Sequence, residues 1–243
     1  MRRLLAIATL VLGACAPTTA DDDLRVLAAS SLTEAFAEIA EAFEASTPGI
    51  DVSLSFAGSA SLREQVLDGI RADVVVVAAP VHLGALENAG LLGSSGVAIA
   101  TNIAVVAVPA ANLAQISGLS DLGRADVIVG TCTRAVPCGA LAAAAFADAG
   151  IEPALSTEEP NVRSLVAKLI AGELDAGIVY RTDVTASKGA LTSFDIPQPP
   201  QTTYLAGTLA TSNAPGAAER FVEFLTSGAG QEILGRHGFG PAP

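Results

Sequence analysis

The chain of 243 residues has no tryptophan, one methionine, two tyrosines and two histidines, and aromatic residues make up only 4% of it. Basic residues are also scarce, 13 Lys and Arg against 25 Asp and Glu for a net charge of -12. That balance excludes the cationic footprint that nucleic-acid binding needs. His82 and His237 stand alone in the sequence, so with three cysteines they form no metal-ligand spacing. Charged residues are only 16% while hydrophobic ones reach 51%, the reverse of a disordered chain. The length suits one large domain or two small ones with real cores. Acidity speaks for solubility, not for a fold.

Long apolar runs are missing too. Leu4–Ala14 is apolar but too short to span a bilayer, and Val97–Ala111 is interrupted by Thr101, Asn102 and Pro109. Arg2 and Arg3 before Leu4–Ala14 give that segment the form of a secretory signal. It ends in Leu12-Gly13-Ala14-Cys15, which resembles a bacterial lipoprotein box and implies cleavage before Cys15 with lipid on its sulfur. Residues 1–14 are thus expected to be a signal peptide and 15–23 a lipidated tether. Removing two arginines shifts the net charge to -14. The mature chain is expected outside the cytoplasm, in the periplasm or on the outer face of the cytoplasmic membrane, held by lipid alone. There a disulfide is the default for the remaining pair, Cys132 and Cys138.

Hydrophobic period switches repeatedly between 2 and 3.6, which argues an α/β architecture with mostly parallel sheets. Strands are expected at Arg25–Ala29, Ile50–Phe56, Asp73–Ala79, Val97–Ala100, Ile103–Val108, Val127–Val129, Ala176–Tyr180 and Thr203–Ala210. Helices are expected at Leu32–Ser46, Leu62–Ile70, Val81–Ala89, Cys138–Ala149, Val162–Ala171, Ala217–Ser227 and Gly230–Arg236. Pro197–Pro200 reads as linker and Gly238–Pro243 as a frayed tail.

Chemistry concentrates at helix starts. Ser31 with Glu34, and Ser61 with Glu64, have the spacing of capping boxes, and Ser59 lies in the glycine-flanked turn before the second. Pro137-Cys138-Gly139 and Pro160-Asn161-Val162 open two further helices. Each alone is an ordinary cap, worth about 1 kcal/mol. Four such ends converging on one cleft make an anion site from N–H groups and helix dipoles, without a cationic side chain. An acidic protein can therefore still bind an anion.

The stretches AASSLTEAFAEIAEAFEASTPGIDVSLSFAGSASLREQVLDGIRADVVVVAA, VPCG and PNVRSLVAKLIAGELDAGIVYRTDV, in that order, resemble the molybdate-binding component of bacterial ABC transporters. The likeness runs from about Leu24 to Gly238-Phe239-Gly240. It implies a type II periplasmic-binding-protein fold: two α/β lobes joined by a hinge, with the ligand cleft between them. By analogy one lobe comprises 24–102 plus 203–243, and the other 103–202. Carried over residue by residue, Ser31 and Ser59 hold an oxyanion through hydroxyl and N–H, Val162 donates its backbone N–H and Tyr180 its phenol. Cys138 stands where the family usually has alanine, in a contact made by backbone N–H. The resemblance further implies a monomer that captures molybdate or tungstate and delivers it to permease subunits, without a cofactor, direct metal coordination by side chains, or enzymatic activity.

Molybdate, tungstate and sulfate are tetrahedral dianions that only accept hydrogen bonds at neutral pH, so a donor-only shell suits all three. Hydrogen phosphate keeps a proton that such a shell leaves unpaired. A sulfate or thiosulfate receptor is the nearest alternative. A hydrolase using Ser31 or Ser59 as nucleophile needs an oriented base, and neither histidine has a recognisable partner. A lipoprotein that binds no solute is the third alternative.

Overall fold

The computed structural model describes residues 23–243; the expected signal segment, Cys15 and the rest of the tether up to residue 22 lie outside them. The first half of the chain alternates β1 (Asp23–Ala29), α1 (Thr33–Ser46), β2 (Asp51–Ala57), α2 (Ser59–Leu67), β3 (Val74–Val77), α3 (Pro80–Asn88) and β4 (Val97–Pro109). There follow β5 (Val129–Cys132), α4 (Pro137–Ala149), β6 (Leu155–Glu159), α5 (Val162–Ile170), β7 (Ala176–Tyr180), α6 (Arg181–Ala186), β8 (Leu191–Asp195), β9 (Gln201–Thr208), α7 (Pro215–Thr226) and α8 (Gly228–Arg236). Short 3-10 turns occupy Ser30–Leu32 and Leu119–Gly123.

The strands follow the order β2-β1-β3-β9-β4-β7-β5-β6, with β8 also paired to β4. Strand β4 belongs to two neighbourhoods. Its residues Val97–Ile103 run antiparallel to β9, while Ala104–Ala107 pair with β7 and Val105–Pro109 with β8. The chain crosses there from one lobe to the other and returns beside itself, where the Ala104 N–H donates to the Pro200 carbonyl at 2.9 Å.

Each lobe carries helices on both faces of its sheet. The four valines of β3 are all fully buried. Val74 and Val76 enter a core with Phe36, Phe43 and Phe221, whereas Val75 and Val77 enter another with Leu62, Leu83 and Leu86. A strand covered on both faces reads as one apolar run because its alternation separates two cores, not core and solvent. In β4, Val106 and Val108 face one core, and Val105 and Ala107 another.

Several expectations need correction. The sheet is mixed, not mostly parallel. The βαβ units pair parallel within each lobe, but β4 and β9, which carry the chain out and back, meet their neighbours antiparallel. Strands expected at Val97–Ala100 and Ile103–Val108 form one strand, β4. The helix expected at Leu62–Ile70 is α2, which starts at Ser59 behind an extended Gly58 and ends before Gly69 at φ 83°. Strands β6 and β8 and helix α6 have no counterpart among the elements expected from the sequence. The first two are short and half exposed, and α6 has only six residues. The tail is not frayed at its start: Thr101 and Gly240 exchange two backbone hydrogen bonds of 2.9 Å, and Phe239 is buried with its ring edge-on to Tyr204.

Candidate functional site

One small cavity lies where the lobes meet, and all five residues singled out as ligands line it: Ser31, Ser59, Cys138, Val162 and Tyr180. The other lining residues are Ala29, Ser30, Gly58, Ala78, Val136, Pro137 and Asn161, so no charged side chain among the described residues lines it. The space open to the centre of a water-sized sphere is ≈ 20 Å³, little more than one such sphere. That is room for one compact ion, not for a sugar or a nucleotide.

The local sequence explains how each element reaches this point. Strand β1 ends at Ala29 and turns directly through Ser30–Leu32 into α1. Strand β2 ends at Ala57, and Gly58 lets α2 start at once. A β-carbon on Gly58 would stand 2.7 Å from the Pro160 carbonyl oxygen, so glycine permits the close approach of α2 to the start of α5. Pro137 opens α4, as its fixed φ favours. Asn161 caps α5 by accepting the Ser164 N–H at 3.0 Å. The first N–H groups of a helix have no partner inside it, and those of Ser31, Ser59, Cys138 and Val162 find no acceptor elsewhere among the described residues. Four sets of unpaired donors thus face one cavity.

The hydroxyls differ from the expected caps. Ser31 and Ser61 do not cap their helices, and their capping boxes are not formed. Ser31 Oγ instead lies 2.8 Å from Tyr204 Oη, and Ser59 Oγ accepts the Ala78 N–H at 3.0 Å. Glu34, freed from a capping role, pairs with Arg163 at 2.7 Å, an ion pair that ties α1 of one lobe to α5 of the other. Arg181 pairs with Asp195. Tyr180 Oη is buried with no partner among the described residues, and burial pushes its phenol well above the usual value, so it stays protonated as a donor.

Cys132 and Cys138 are joined by a disulfide. Because its sulfur is engaged, only the backbone of Cys138 is offered to the cavity. Gly139 follows from the same packing: a β-carbon there would meet the Thr133 carbonyl oxygen at 2.0 Å.

Three residues near the site were not read from the sequence. Tyr204 and Asn102 sit on the crossing strands β9 and β4 and touch Ser31 directly or through one another. Asp183 is buried behind Tyr180, whose N–H it accepts at 2.9 Å. Its carboxyl is raised to about 7, chiefly by burial, against lowering by the Tyr180 N–H and Arg163. The spacing from Tyr180 to Asp183, an N-terminal position followed three residues later by an acid, was an available signal, hidden because α6 is so short.

Neither histidine lines the cavity. His82 is buried on α3, and His237 bonds to Glu38. Ser31 Oγ is bonded to Tyr204 and Ser59 Oγ to the Ala78 N–H, and among the described residues neither is bonded to a histidine. Among the described residues no group of three or more His, Cys, Asp or Glu side chains is placed to hold a metal ion, and no helix is long and apolar enough to cross a membrane.

Two α/β lobes on a pair of crossing strands, closed over a small cavity lined with donors, define a type II periplasmic-binding-protein fold: a receptor that encloses a solute. Residues 24–240 match the family described as bacterial extracellular solute-binding protein, and the chain belongs to that family. It is 34% identical over 225 residues to the molybdate-binding protein ModA of Mycobacterium tuberculosis H37Rv, covering 92% of this chain and 86% of that one. Among solved structures, the sulfate-binding protein SubI of the same organism superposes with a TM-score of 0.82 at 21% identity, over 90% of this chain and 86% of that one. A periplasmic molybdate-binding protein of Azotobacter vinelandii gives 0.77 at 16%, over 89% and 98%. These two likenesses speak for the fold alone.

Proposed function

We propose that the chain is the extracytoplasmic receptor of a molybdate ABC transporter, which closes two lobes around one molybdate ion and presents it to the permease. The observation that carries this is the cavity: small, uncharged, and lined by hydroxyl and N–H donors from four helix starts and a buried tyrosine. An acceptor-only tetrahedral dianion uses every donor and leaves none of its own groups unpaired. Ser31, Ser59 and Tyr180 donate through their hydroxyls, and Ser31, Ser59, Cys138 and Val162 through backbone N–H. The relationship to ModA supports molybdate as the solute.

Residues 24–102 with 203–243 form one lobe and 103–202 the other, hinged at the crossing strands. Residues 1–14 direct export and Cys15 carries lipid, so a monomer works at the outer face of the membrane. Tungstate, of the same shape and charge, shares the site. No cofactor takes part, and the protein performs no reaction. The observation in favour of sulfate is the donor-only shell itself, which suits any such dianion.

Isothermal titration of the purified chain with molybdate, tungstate, sulfate and phosphate tests the reading. One-to-one binding of molybdate, with sulfate far weaker, is expected. Equal affinity for sulfate would make the protein a general oxyanion receptor, and absence of binding by all four anions would overturn the proposal.

A further inference from the structure

Resting on that reading, the hydrogen-bond directions behind Ser31 carry a consequence for selectivity. Asn102, Thr182, Tyr204 and Ser31 are all buried. The Asn102 amide is oriented by the backbone: the Ile103 N–H donates to Oδ1 at 3.0 Å, so Nδ2 must face the other way. Nδ2 then donates one hydrogen to Thr182 Oγ1 at 2.7 Å and the other to Tyr204 Oη at 3.4 Å. A phenol has a single hydrogen. Tyr204 Oη has only Asn102 and Ser31 as partners among the described residues, and Asn102 offers it only a donor. The phenolic hydrogen therefore goes to Ser31 Oγ, and the serine's own hydrogen is left for the cavity. The opposite arrangement, with Ser31 donating to Tyr204, strands a buried phenolic hydrogen without an acceptor.

Ser59 is polarised in the same sense by a different device, since its Oγ accepts the Ala78 N–H. A backbone donor cannot be reversed by substitution. The device behind Ser31 is made of side chains and can be.

We propose that Asn102 and Tyr204 are positioning residues that hold the Ser31 hydroxyl as an obligate donor toward the cavity, and that this fixed direction helps exclude oxyanions that carry a proton. Neither residue touches the ion. Both lie on the crossing strands, and Asn102 reaches α6 through Thr182, so the relay is anchored in both lobes.

Asn102→Asp is nearly isosteric and reverses the relay. The new carboxyl oxygen accepts from Tyr204, Tyr204 then accepts from Ser31, and Ser31 presents a lone pair to the cavity. The added negative charge weakens all dianions together, so the readout is a ratio of affinities: molybdate to hydrogen phosphate, and molybdate to sulfate as the acceptor-only control, titrated at pH 8 into the full chain. The molybdate-to-phosphate ratio should fall by about ten-fold or more while the molybdate-to-sulfate ratio stays near its original value. Tyr204→Phe, which lets the serine turn either way, should narrow the first ratio in the same direction, and it carries the test if Asn102→Asp does not fold. An unchanged molybdate-to-phosphate ratio in the folded variants, or equal changes in both ratios, would overturn the relay while leaving the receptor standing. If the unaltered chain binds no oxyanion, the receptor reading fails and the relay with it.

Discussion

At the scale of single residues, the proposed site rests on donors whose directions are fixed. Tyr180 Oη is buried without a partner among the described residues, which is costly unless a ligand supplies an acceptor. Tyr180→Phe should weaken molybdate binding by about 1–3 kcal/mol, roughly 5- to 150-fold. Titration of the variant checks this, and an unaltered affinity would remove the phenol from the site. Asp183 governs a different property. Its folded value of about 7 exceeds its ordinary 3.8, mainly through burial, with the Tyr180 N–H and Arg163 lowering it and Glu34 raising it. The folded protein thus binds this proton more tightly than the unfolded chain. The resulting stability is complete below pH ~4 and is lost as pH rises to about 7. Asp183→Asn keeps an acceptor for the Tyr180 N–H and removes the titration. Thermal melts should show it more stable than the parent at pH 8 and little changed below pH ~4. The opposite order would show that Asp183 is stabilised as a charge.

At the scale of elements, the helix starts do two jobs, presenting N–H groups and letting the lobes meet. Gly58 lies against the start of α5, with space for no β-carbon beside Pro160. Gly58→Ala should leave each lobe folded but hold the cleft ajar, lowering affinity with little loss of melting temperature. A variant that binds as well as the parent would show that α2 and α5 separate without cost. The Cys132–Cys138 bridge closes a loop of six-residue separation, which the chain-entropy account makes worth about 2 kcal/mol. Reduction should lower stability by about that amount and weaken binding, because the bridge positions the Cys138 N–H. Paired denaturation and titration with and without reductant measure both.

Elements were legible where packing wrote a period into the sequence. Helix α1 carries Ala35, Phe36, Ile39 and Phe43 on its buried face, and the valine run of β3 could only be a strand covered on both sides. Strands β6 and β8 were not, because their exposed edges carry Ser, Thr and Glu or Asp with no clear alternation. The serines at the helix starts were recognisable as a group, but their hydrogen bonds were not. A capping box is a statement about near neighbours in sequence, whereas Ser31 is bonded to Tyr204 from 173 residues away. Asn102 and Tyr204 look like ordinary strand residues until the crossing strands bring them beside Ser31.

At the scale of the whole molecule, an acidic protein with a net charge of -12 is read as holding a dianion with no cation in contact. Directed dipoles outweigh net charge over the few ångströms that matter, because salt screens distant surface charges and not the buried donors. Closure across the lobes is supported by the Glu34–Arg163 pair, about a third exposed on each side. At that exposure it contributes little to stability, and its place between α1 and α5 suits a latch that opens readily.

The most direct test of the central claim, an intact oxyanion held by hydrogen bonds alone, is X-ray absorption at the molybdenum edge of the loaded protein after gel filtration. The account predicts the spectrum of free tetrahedral molybdate, with oxygen neighbours only and one molybdenum per chain. A six-coordinate spectrum, or a nitrogen or sulfur neighbour, would place protein atoms on the metal and contradict it.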